Sequence, residues 1–85
     1  MSTDAYVRKL LNRAEGIWHG MGLVLESKNI ARDGNGTDVS FRFHDITPSQ
    51  AELLVLYMSQ AFRRAHVSWA STDGVAIVHV AVPAL

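Results

Sequence analysis

The sequence predicts a small α+β domain: a two-layer sandwich in the order α-β-β-α-β-β, with a four-stranded, mainly antiparallel sheet and both helices on one face. Three observations carry this prediction. Residues 4–46 read as a helix, a strand, a Gly-rich turn and a strand, and residues 47–82 repeat that order. Two segments show the 3.6-residue apolar period of amphipathic helices. An Asp-Gly pair between two apolar runs marks a tight hairpin near the C-terminal end. The element order is the one that circular permutation of a ferredoxin-like βαββαβ chain would give, and there the second and fourth strands are central. Residues 1–85 are read as a single domain, with a pseudo-repeat of 4–46 and 47–82.

The first helix is expected to begin near Asp4, with Ser2, Thr3 or Asp4 as its N-cap. Val7, Leu10, Leu11, Ala14, Ile17, Trp18 and Met21 recur at helical spacing and make its buried stripe. Gly20 and Gly22 supply the positive φ on which helices end. Leu23 to Ile30 reads as a strand, polar enough to suit an edge. Asp33-Gly34-Asn35-Gly36 is a tight turn, read as a three-residue loop with Gly36 left-handed. Val39, Phe41 and Phe43 then alternate with Ser40, Arg42 and His44, a half-buried strand whose Phe face points at the helices.

Thr47-Pro48-Ser49-Gln50 starts the second helix: Thr47 caps, Pro48 fits the first turn, and Gln50 completes a capping box. That helix is expected to reach about Ala65, burying Ala51, Leu54, Val55, Met58, Ala61, Phe62 and Ala65. Val67 to Thr72 and Val75 to Val82 form the last hairpin around a type I′ turn at Asp73-Gly74. A two-residue turn fixes the register, so Trp69 opposes Val78 and Val67 opposes Val80. Residues 75–82 are apolar on both faces, which suits a central strand.

Composition narrows the function. With no cysteine, disulfides and thiolate metal sites are excluded. Eight basic residues balance eight acidic ones, so the chain lacks the broad positive field of a non-specific nucleic-acid binder. The opening residues MSTDAYVRKLLNR hold no apolar run of signal-peptide length, and the run Val75 to Val82 is far too short to span a bilayer. A soluble cytoplasmic protein with no membrane partner and no cofactor is expected.

Two surfaces should stay free. The open sheet face would carry Ser40, Arg42 and His44, then Val75, Ile77, His79 and Ala81, with Ala70 beside them. On the second helix, Leu53 and Leu56 lie one turn apart among Glu52, Gln60, Arg63 and Arg64, away from the core stripe. The candidate protein interface is therefore Leu53, Leu56, Ala70, Val75 and Ile77. The bland alternative is that the tail Pro83-Ala84-Leu85 covers the two leucines.

Candidate chemistry is sparse. Arg42, His44 and His79 form a polar site on the open face, but a stable zinc site needs a third protein ligand. Ser40, His44 and Asp45 hold the letters of a triad, yet alternation should send Asp45 to the face opposite His44. The Gly-rich turn joins two strands, whereas a phosphate loop runs into a helix N-terminus. Phe41-Arg42-Phe43 lacks the glycines of an RNA-stacking strand, and its Phe face is needed for the core. Arg63 and Arg64, with His66, complement the end of the second helix, while Arg8, Lys9 and Arg13 solvate the first. The two clusters would merge into a patch for an anionic partner if the helices lie side by side.

The expected function is a non-catalytic protein–protein interaction module, either homodimeric or a small adaptor or inhibitor of a larger assembly. A nucleic-acid-binding domain is the first alternative, against which the charge balance argues. A small ligand-binding or enzymatic domain with its site at a dimer interface is the second.

Overall fold

The computed structural model describes residues 3–84, and its six elements follow the expected order. Helix α1 spans Thr3–Gly20. Of its three expected caps, Ser2 lies outside the described residues, and Thr3 and Asp4 are already helical. Val7, Leu10, Ala14 and Trp18 are buried, with Leu11, Ile17 and Met21 packed half-exposed beside them. The helix ends in a Schellman motif: Leu23 N–H donates to the Trp18 carbonyl and Gly22 N–H to that of His19, both at 3.0 Å, with Gly22 at φ 75°. Leu23 was expected to open the first strand. It instead folds back into the core with Trp18 to close the helix.

Strand β1 consequently runs over Leu25–Asp33, later at both ends than Leu23 to Ile30. Every residue after Leu25 is exposed, so no apolar alternation marked its true extent. A bulge between Leu25 and Ser27 leaves Glu26 without an opposite number. Strand β2 covers Gly36–Phe43 and pairs with β1 antiparallel. Asp33 pairs with Gly36, so the hairpin closes over Gly34-Asn35 and not over a three-residue loop. Asn35 N–H donates to the Asp33 carboxylate at 2.7 Å, which holds the turn. Gly36 does carry a positive φ, but at 145°, outside the left-handed helical region. Its Cα faces the backbone of the last strand, where a Cβ would land on the Val82 carbonyl.

Helix α2 spans Pro48–Ala61 behind the predicted capping box: Gln50 N–H donates to Thr47 Oγ1 (3.2 Å) and Thr47 N–H to Gln50 Oε1 (2.9 Å). Thr47→Ala should lower stability by about 1 kcal/mol in urea unfolding. No change would mean that Pro48 alone sets the helix start. The helix stops short of Ala65. Phe62 leaves helical geometry (φ −119°, ψ 74°) while its N–H still bonds the Met58 carbonyl and its ring is buried. The need to bury Phe62 and then Val67 overrides the helix propensity of Arg63 and Arg64, which lie in the connecting turn.

Strands β3 (His66–Thr72) and β4 (Val75–Pro83) close the chain. Asp73 and Gly74 both adopt positive φ (52° and 79°), as a type I′ turn requires, and Trp69 opposes Val78 as expected. The sheet order is β1-β2-β4-β3, antiparallel throughout, with β2 and β4 central. Val39, Phe41 and Phe43 of β2 and Ala76, Val78, Val80 and Val82 of β4 are buried on one face. Both helices pack there, and Trp18 sits on Phe41 and Phe43 at 5.1 and 5.2 Å. Among the described residues, no helix is long and apolar enough to cross a membrane.

Candidate interaction surfaces

Because alternate residues of β2 and β4 go to the core, the register dictates what the open sheet face presents. Its rows read Ser27–Arg42–Ile77–Ala70, then Asn29–Ser40–His79–Ser68, then Ala31–Asp38–Ala81–His66. Ala70, Val75 and Ile77 do share this face, and Ile77 opposes Ala70 directly. Arg42 stands on the other side of Ile77, and a polar row follows at once. Val75 and Ile77 are half-buried within the sheet. The expected apolar strip is thus narrow and shallow.

His44 and His79 do not form one site. Ser40 is the partner of His79, so His44 lies four strand positions away, roughly 13 Å. Ser40 Oγ contacts His79 Nδ1 at 3.2 Å. At the end of β2, the Glu26 bulge delivers its carboxylate to Arg42 Nε at 3.5 Å and to His44 Nδ1 at 3.8 Å. Asp45, expected on the opposite face, turns back to His44 Nε2 at 3.2 Å. The strand has already ended at Phe43, and the positive φ of Asp45 (53°) abolishes the alternation. The triad letters remain apart, because the serine sits on His79 while the aspartate sits on His44. Glu26, Arg42, His44 and Asp45 are all about half exposed or more, so water screens this corner and each pair contributes on the order of 0–1 kcal/mol.

The outer face of the helical layer is more apolar. Leu53, Leu56 and Tyr57 are 41%, 51% and 44% exposed. They occupy positions i, i+3 and i+4, so the three side chains are neighbours on the surface of α2. The sequence reading found the leucines and missed Tyr57, whose spacing from Leu53 was the available signal. Pro83 and Ala84 do not shield them, because Ala84 N–H donates to the Asn35 carbonyl and holds the chain at the first hairpin; Leu85, the rest of the expected cover, lies outside the described residues. Leu53 and Tyr57 border a cleft of about 870 Å³ between the helices, floored by Ile17 of α1, by Met21 in the turn after it and by Ala61. The interface candidates therefore lie on opposite sides of the molecule, Leu53 and Leu56 on the helices and Ala70, Val75 and Ile77 on the sheet.

The helices do lie side by side, with the C-terminal end of α1 beside the N-terminal end of α2, and this sorts the expected cationic patch. Arg13 lines the cleft. Lys9 lines its extension, a pocket of about 210 Å³ that shares Arg13 and Ala61 with it. The Arg64 guanidinium stacks 4.8 Å from the centre of the Tyr6 ring, which lines that extension. Arg8 does not join them: it lines a separate groove with Leu25 and Lys28 against β1. Arg63 is exposed and lines neither the cleft nor its extension. Comparison with family models, with curated proteins and with solved structures finds no match.

Proposed function

We propose that the chain is a non-catalytic protein-interaction module, a small adaptor or inhibitor of a larger assembly, that engages its partner through the outer face of its helices. One observation carries this reading: Leu53, Leu56 and Tyr57 are large, exposed, mutually adjacent and continuous with an apolar cleft. A contiguous apolar surface of this kind is costly to leave in water and marks an interface. The circularly permuted ferredoxin-like architecture is part of the proposal, supported by the strand order β1-β2-β4-β3. So is a cytoplasmic setting, supported by the cysteine-free composition. A homodimer through the sheet is the second reading, favoured by Val75 and Ile77 beside Ala70.

A photo-crosslinking residue placed at Tyr57 or at Ile77, in cells that express the protein, separates these readings. Adducts with another protein from Tyr57, abolished by Leu53→Glu, are expected. Adducts confined to Ile77 and of twice the chain's mass would replace the first reading by the homodimer. Adducts from neither site would end both.

A further inference from the structure

We infer that the cleft between α1 and α2 seats an amphipathic helix of a partner protein, one whose apolar face is flanked by carboxylates. The inference rests on the helical face being the interaction surface and adds the partner's chemistry. The floor is apolar, formed by Ile17, Met21 and Ala61, and the exposed Leu53 and Tyr57 form its rim. The charged side chains lining the cleft and its extension are Arg13 and Lys9, and Arg64 caps the far end over Tyr6. Among the described residues, no Asp or Glu lines either one. The α1 carboxylates are drawn elsewhere, Asp4 to Arg32 at 3.4 Å and Glu15 to His19 at 3.9 Å.

That pattern selects among occupants. A second copy of this chain, offering the same face across a two-fold axis, would set cation against cation. A nucleic-acid backbone would satisfy the cations and leave the apolar floor uncovered. A helix with an apolar stripe and acidic flanks satisfies both. The cleft follows α2 from Gln50 to Phe62, roughly 18 Å, which matches about three turns of a partner helix. Such a helix would lie against two others, as in helix-in-groove recognition.

The test uses two synthetic peptides of about fourteen residues, each with leucines at helical i, i+3, i+4 and i+7 spacing. One is flanked by glutamates and the other by lysines. Binding is followed by amide chemical shifts of the isotopically labelled full chain. The acidic peptide should shift residues around Ile17, Met21, Leu53 and Tyr57, and bind at least about tenfold tighter than the basic one. Raising salt from about 50 to about 500 mM should weaken it several-fold. Arg13→Glu, at an exposed position, should reverse the preference between the peptides without altering the rest of the spectrum. Equal or preferred binding of the basic peptide, shifts confined to the sheet face, or binding of neither peptide would overturn the inference. If that happens while crosslinking at Tyr57 persists, the acidic helix is discarded and the interaction face stands.

Discussion

Replacing Gly36 by alanine should cost the fold about 3 kcal/mol or more, a fall in melting temperature on the order of 12–24 °C for a chain of this size. Two effects act together. The backbone there holds φ at 145°, which side chains of L-residues rarely adopt. The added Cβ would also strike the Val82 carbonyl and come within 3.0 Å of Ala84 N and Pro83 Cα. All three are backbone atoms of the neighbouring strand or its continuation. They cannot retreat without opening the central ladder, in which Gly36 pairs with Pro83 and Thr37 with Val82. Gly34 is the control. It belongs to the same turn, yet a Cβ there meets nothing within 4 Å and its φ is not positive. Gly34→Ala should change stability by under about 1 kcal/mol in either direction. Thermal unfolding followed by circular dichroism compares the two, and equal melting temperatures would refute the close-approach argument.

Trp18→Ala should be the other large loss, about 3–5 kcal/mol in urea unfolding. The indole joins helix α1 to the sheet. It packs on Phe41 and Phe43 of the central strand β2 and is almost fully buried, at the residue whose backbone carbonyl accepts the Leu23 bond that ends α1. Only the packing is lost on truncation, since the backbone bond survives. The loss should therefore appear as a lower urea midpoint with an unchanged slope. A domain of this size has only about 4–13 kcal/mol in hand, so the loss should take a large share of the total stability. A change below about 1 kcal/mol would show that the surrounding side chains collapse into the space, and that the aromatic cluster is not the keystone assigned to it.

Legibility followed how local the cause was. The α2 capping box, the type I′ turn at Asp73-Gly74 and the register of Trp69 against Val78 each depend on a few adjacent residues, and all were readable from them. The central place of β4 was readable because Val75 and Ile77 add apolar residues to the face away from the helices. The extent of β1 was not readable: its residues after Leu25 are exposed, so nothing separates strand from loop. The end of α2 was misread because burial of Phe62 is a tertiary demand that Arg63 and Arg64 do not advertise. Asp45 was placed on the wrong face because a single positive φ breaks the alternation from which its position was inferred. The candidate site was half visible. Leu53 and Leu56 stood out on one helix. The cleft needed Ile17 from the other and Met21 from the turn after it, and whether Arg13 or Arg8 would face it was set only by how α1 and α2 pack.

The pairing of β2 with β4 is the only ladder joining the two α-β-β halves among the described strand pairs. Each hairpin closes over a two-residue turn, but this seam brings residues 36–42 against 77–83, about forty positions apart, and its loop-closure entropy must be met before any contact repays it. A two-stranded hairpin by itself is marginal in water, and each half, taken alone, would leave a central strand with an open edge. Folding is therefore expected to be a single cooperative event whose rate depends on closing that seam, and the repeated α-β-β order is not expected to mark two units able to fold apart.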